Sequence, residues 1–287
     1  MLQYLVSGAA TGALYGVIAV GIVLIYRASG VINFAHGEIA TICTFTVWAV
    51  WDAGVPLGAA IAVGLVLAGA IGPGVEGLVI SRLRNKSHIN EIMATVALFL
   101  ALNGLTLELF GHDQRRFPPL VHGAPIEVFD TVITRQALLA IVFTTVLAAA
   151  FAIFFRRTSV GIAMRAISEN RESAELVGLP VPWIVRGAWL AAAVLGTISG
   201  VLVAPIVFLN VDMMIGLLIK AFAGAVLGGL TSIFGALVGA VALGIGESLI
   251  SGYVSSQLST PFTFFVLVVA LVVRPHGLFG RAAEVKL

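Results

Sequence analysis

The chain has 287 residues, 60% of them hydrophobic and only 10% charged, with a mean hydropathy of +1.09. Soluble domains carry about 25% charged residues, so this composition excludes an ordinary water-soluble fold, and a formal net charge of +2 excludes a basic nucleic-acid surface. Cys43 is the chain's one cysteine, which excludes an internal disulfide or a CxxC metal site; within an apolar run it reads as a small buried residue.

A membrane helix needs about 20 mostly apolar residues at a rise of about 1.5 Å each. In chain order this predicts nine crossings: Leu5–Tyr26, Ile39–Trp51, Leu57–Ser81, Ile89–Phe110, Gln136–Phe155, Trp183–Leu209, Ile215–Leu230, Phe234–Ser251 and Phe262–Val273. The first lacks a basic leader and exceeds the apolar core of a signal peptide, about 7–15 residues, so it reads as a retained span. The second and ninth are short, and the second is expected to begin earlier, near Gly30, as a broken helix. Only Thr231, Ser232 and Ile233 separate the seventh and eighth, which predicts a tight helical hairpin. The expected fold is therefore all-α: a polytopic transmembrane helical bundle with about nine spans, some discontinuous or re-entrant, forming one domain over residues 1–287.

Cytoplasmic loops carry the excess of Lys and Arg. With the N-terminus outside and the C-terminus cytoplasmic, twelve basic residues between Arg27 and Lys286 fall on the inner side. Only Arg115, Arg116 and Arg135 fall outside, and Lys220 lies within a span. The opposite topology inverts that split. Residues 111–135, with Pro118, Pro119 and Pro125, read as an external loop, and residues 156–182 as an internal segment. Gly8, Gly12 and Gly16 recur every fourth residue, as do Gly224 and Gly228, then Gly235 and Gly239. In lipid, where water does not drive helices together, such spacing serves close packing.

Polar groups within apolar runs are the candidates for function, because each is costly in lipid unless it faces protein or a watery cavity. Asn33, His36 and Glu38 stand at the mouth of the second span, either as caps of a re-entry turn or as part of a broken-helix transport site. Glu76, Asn103, Glu108, Lys220 and Glu247 lie within spans, Glu108 near an outer end. The set expected along a translocation path is Asn33, His36, Glu38, Asn103, Lys220, Phe222 and Glu247. A Lys220–Glu247 pair is conceivable, but spacing gives it no support. The internal stretch RRTSVGIAMRAISENRESAELVGLPVP predicts about five helical turns between a cap at Thr158 or Ser159 and a stop at Gly178. Such a charged helix either docks a soluble partner or lies on headgroups. There is no Walker P-loop and no H-E-x-x-H, and the five histidines are too scattered for a zinc set. No catalytic or metal site is therefore expected.

INFAHGE at Ile32–Glu38, RAISENRESAELVG at Arg165–Gly178, and KAFAGAVLGGLTSIFGALVGA at Lys220–Ala240, followed by GIGESL and RPHGLFG, together resemble the branched-chain amino acid permeases of ABC importers, over nearly the whole chain and in order. The length is similar to that of the shorter of the two paired permeases. The resemblance implies a bacterial inner-membrane permease that moves a small polar solute, a branched-chain amino acid or a related amide or acid. Implied partners are a second homologous permease, two cytoplasmic ATP-binding subunits and an extracytoplasmic binding protein. ATP and magnesium would sit on the partner ATPases, with no cofactor in this chain and no enzymatic activity of its own. Arg165, Ala166, Glu169, Asn170, Ala174 and Gly178 would form the ATPase-coupling segment. The alternative is an ion-coupled secondary transporter using Glu108, Lys220 or Glu247.

Overall fold

The computed structural model describes residues 1–83, 87–128 and 131–280. Of the basic residues assigned above to the inner side, Arg84, Lys86, Arg281 and Lys286 lie outside the described residues. The helices are α1 (Leu2–Ser29), α2 (His36–Asp52), α3 (Leu57–Val75), α4 (Ser81–Leu83), α5 (His88–Phe110), α6 (Arg135–Arg157), α7 (Ser159–Glu169), α8 (Arg171–Leu176), α9 (Val181–Val207), α10 (Met213–Gly228), α11 (Ile233–Tyr253) and α12 (Ser259–Val273). Seven helical stretches among the described residues are long and apolar enough to cross a membrane.

These seven correspond to seven of the nine expected crossings. The second and seventh coincide with α2 and α10, helices of 17 and 16 residues. At about 1.5 Å per residue both fall short of a hydrocarbon layer about 30 Å thick. The ninth gains length from a 3-10 turn at Ser256–Leu258 that leads into α12. The predicted broken start of α2 is present but lies later than expected. α1 runs to Ser29, Gly30 turns the chain at φ 76°, and α2 begins at His36. A side chain at Gly30 would meet the steric penalty of the left-handed region.

α3 carries Pro73 inside it and passes through a π-helical turn, Glu76–Ile80, into α4. Proline removes one backbone donor from the helix. The segment read as an external loop is more ordered than expected. Strands β1 (Ile126–Val128) and β2 (Thr131–Ile133) pair antiparallel.

The described chain falls into two sets of mutually packed segments. One comprises Met1–Val23, Pro119–Gly161 and Ile219–Leu287. Here α1 and α11 touch backbone to backbone: a Cβ on Gly244 would lie 2.5 Å from Gly12 Cα, and one on Gly8 2.6 Å from Ile245 Cα. The glycine spacing is thus a packing seam, as read. Gly224 meets α11 in the same way, 2.6 Å from Ala240 Cα. The RPHGLFG motif folds back on α10, where Leu278 and Phe279 donate their amides to the carbonyls of Leu227 and Gly228 at 2.9 Å. Those carbonyls would otherwise be orphans of the helix end. The Gln3 amide brackets Val132, donating to its carbonyl at 3.1 Å and accepting from its N–H at 2.9 Å, so the start of α1 and the β-hairpin are tied together.

The second set comprises Leu24–Pro118 and Ile162–Leu218. α2 is buried on nearly every side, with Ile39, Ile42 and Cys43 packed against Ala68 of α3 and Ala193 of α9. Phe45 stacks on Phe110 with ring centroids 4.8 Å apart. Gly72 lets α3 lie directly on α9, where a Cβ would come 2.5 Å from the Trp189 carbonyl oxygen. By contrast, α5, α6 and α12 leave most of their apolar surface uncovered: 11–17% of their hydrophobic windows is buried, against 89% for α1. Only lipid or a further subunit covers such faces without a large hydrophobic cost.

Candidate functional site

The first polar centre is built around the start of α2. Asn33 turns the chain into the helix: its side-chain oxygen accepts from the Ala35 amide at 3.0 Å and its carbonyl from the His36 amide at 3.3 Å. The helix therefore begins below the protein surface, with Asn33, His36 and Glu38 each no more than 2% exposed. Thr41 and Thr44, a turn further on, satisfy themselves on the carbonyls of Gly37 and Ala40. Glu38 reaches across to α5, where its Oε2 accepts from the Asn103 amide at 3.3 Å. The same amide lies 3.5 Å from Oδ1 of Asp212, in the connection between α9 and α10. One side chain thus bridges two carboxylates.

This centre is rich in polar atoms without a donor or acceptor among the described residues. They include Nδ2 of Asn33, both ring nitrogens of His36 and Oε1 of Glu38. His36 packs against Gly196 of α9, where a Cβ would stand 3.1 Å from its Cε1. Buried polar groups left this way are costly and uncommon.

The second centre is Glu247 of α11, 5% exposed. It forms the ion pair that spacing did not support: Lys220 Nζ of α10 lies 3.1 Å from its Oε1. Tyr15 of α1 donates to Oε2 at 2.9 Å, and the Thr263 hydroxyl of α12 donates to Oε1. Lys220 also sits 5.6 Å from the centroid of the Tyr15 ring. Both oxygens are satisfied, and four helices meet on one carboxylate. Phe222 is half-buried on α10 and joins neither centre.

Of the remaining expected polar residues, Glu76 opens the π-turn and pairs with Arg186 of α9 at 3.2 Å. Glu108 is exposed near the end of α5. Asp212, Tyr15 and Thr263 escaped sequence reasoning. Asp212 carried one usable signal, a carboxylate just ahead of a short apolar helix, but nothing local tied it to Asn103.

The segment read as internal differs from the single five-turn helix expected. It is two helices, α7 and α8, broken at Asn170, whose backbone is extended (φ −156°, ψ 106°). The break has a local cause: the Asn170 side chain accepts from the Ser173 amide at 2.9 Å and so caps α8. Thr158 caps the first helix, accepting from Gly161 at 3.0 Å. Gly178 ends the second at φ 83°, a conformation open to glycine at little cost. α7 buries Ala163, Met164 and Ile167 and exposes Arg165 and Glu169; Ala166 is half-buried, Asn170 is exposed and Ala174 is buried. Arg27, near the end of α1, lies within electrostatic range of both Arg165 and Glu169. Leu176, Val177 and Trp183 stand 82%, 77% and 72% exposed beside Glu172 and Glu175, an uncovered apolar and acidic patch.

A family profile described as branched-chain amino acid transport system / permease component matches residues 4–272. The chain belongs to that family. This permease is 30% identical over 296 residues to the high-affinity branched-chain amino acid transport system permease protein LivH of Escherichia coli, with 98% of this chain and 96% of that one covered. It is 29% identical to the corresponding permease protein BraD of Pseudomonas aeruginosa at the same coverage. It is 27% identical to a probable LivH of the archaeon Methanocaldococcus jannaschii, over 92% of this chain and 87% of that one. The permease is a multi-pass membrane protein of a family of transport components.

Proposed function

We propose that this permease forms half of the membrane path of an ABC importer, moving a branched-chain amino acid or a related amide or acid across the bacterial inner membrane. The family match over residues 4–272 carries the reading. A second, homologous permease completes the path and covers the bare apolar faces of α5, α6 and α12 together with lipid. An extracytoplasmic binding protein delivers the solute near residues 111–135, and two cytoplasmic ATPases, holding ATP and magnesium, drive the cycle. The chain itself performs no catalysis.

Arg165, Ala166, Glu169, Asn170, Ala174 and Gly178 form the coupling surface in this reading. Its support is physical: two short capped helices present charge outward and hold Ala163, Met164 and Ile167 inward. Arg27, in the field of Arg165 and Glu169, ties that surface to α1. The other end of α1 is bound through Gln3 to the β-hairpin. Together with the distribution of basic residues, this supports an outside N-terminus and a cytoplasmic C-terminus.

Reconstitution into liposomes tests the proposal. The purified chain alone hydrolyses no ATP and accumulates no solute, whereas the assembly with its permease partner, ATPases and binding protein accumulates leucine on addition of ATP. Accumulation by the lone chain, driven by a proton or sodium gradient, contradicts it.

A further inference from the structure

We infer that Glu38, Asn103 and Asp212 receive the ammonium group of the solute as it passes, an assignment that rests on the proposed transport of amino acids. Three separate elements bring these groups together: α2, α5 and the connection between α9 and α10. The two amide hydrogens of Asn103 are spent on the two carboxylates. That leaves Oε1 of Glu38 with no donor among the described residues, on a side chain that is 1% exposed. This oxygen shares its carboxylate with the one bound to Asn103, so it borders the same spot. Asp212, at the other edge, is exposed. The three groups thus lead from the exposed surface to a buried acceptor in need of a donor.

The charge of the missing donor follows from what surrounds it. Asn103 joins the carboxylates of Glu38 and Asp212 through one amide, and a cation beside them favours the charged form of each. Among the described residues no lysine or arginine pairs with either one. Arg115, whose backbone pairs with Leu209 close by, turns its guanidinium to Asp113 at 3.7 Å and to the Trp48 ring at 5.2 Å from the centroid. An ammonium carries three N–H donors. Glu38 Oε1, buried with no donor among the described residues, takes one of them. The Lys220–Glu247 centre makes the opposite case, since its carboxylate already has a resident ammonium.

ATP-driven leucine uptake by the complete reconstituted importer, with its binding protein, tests the assignment. E38Q keeps the shape and the bond to Asn103 but loses the charge, and lowers initial uptake about tenfold, as befits one charge-assisted hydrogen bond. E38D recovers part of that loss, and the exposed E108Q control transports normally. D212N also lowers uptake and, because Asp212 is exposed, tests the site even where E38Q fails to assemble. Wild-type rates in both E38Q and D212N overturn the assignment, as does equal loss in E38Q and E38D with D212N unaffected, which is a packing role. A wild-type importer that uses ATP to move only solutes lacking an ammonium sinks this assignment and leaves the ATP-driven permease standing. One that moves nothing with ATP sinks both.

Discussion

Glu38 and Glu247 are both buried carboxylates in an apolar chain, and they differ in how fully they are answered. Tyr15, Lys220 and Thr263 converge on Glu247 and leave neither oxygen free, whereas among the described residues Glu38 has one donor for two oxygens. A satisfied buried pair holds helices in place, and removing one partner strands the other at a cost of about 3–5 kcal/mol. Glu247→Leu is therefore expected to lower the thermal stability of the purified protein steeply, and Lys220→Met added to it to restore much of the loss. Thermal unfolding in detergent reads both; single variants as stable as the parent would show that the four-helix junction contributes little. This contrast was only half legible in the sequence. Asn33, His36, Glu38, Asn103, Lys220 and Glu247 announced themselves as polar letters in apolar runs. Which of them meet depends on contacts across 27 and 65 positions, and no local pattern encodes those.

At the scale of elements, glycine sets where helices approach most closely. Gly244 faces the backbone of Gly12, whereas a Cβ on Gly58 of α3 meets nothing within 4 Å. Gly244→Leu is expected to cost at least the 1–3 kcal/mol or so of an overpacked interior and to abolish accumulation of folded protein. Gly58→Ala should stabilise by about 0.5–1 kcal/mol through helix propensity. Yield and unfolding temperature of the two variants separate the seam from a neutral glycine; equal behaviour would remove it. Asn170→Ala removes the cap of α8, about 1 kcal/mol, and is expected to speed amide exchange over residues 171–176, with unchanged exchange counting against the break as a built feature. The helices themselves were legible because lipid demands long apolar runs. The break at Asn170, the π-turn at Glu76 and the β-hairpin were not, since each depends on one or two hydrogen bonds within an otherwise continuous pattern.

For the whole molecule, the account requires one face of the membrane to hold residues 111–135 and the other to hold α7 and α8. Cys43 is the chain's only cysteine and is buried, so an impermeant maleimide reports introduced thiols alone. Val121→Cys is expected to label in intact cells, and Leu176→Cys only in inverted vesicles; the reverse pattern refutes the orientation. The central claim is that motion enters this permease from another protein through the charged helices around Glu169. The most direct measurement is cross-linking from Glu169→Cys in the assembled importer, with and without a non-hydrolysable ATP analogue. The account predicts a cross-link to the ATP-hydrolysing subunit whose yield changes with nucleotide. Full ATP-driven uptake with no cross-link to that subunit in either state would contradict it.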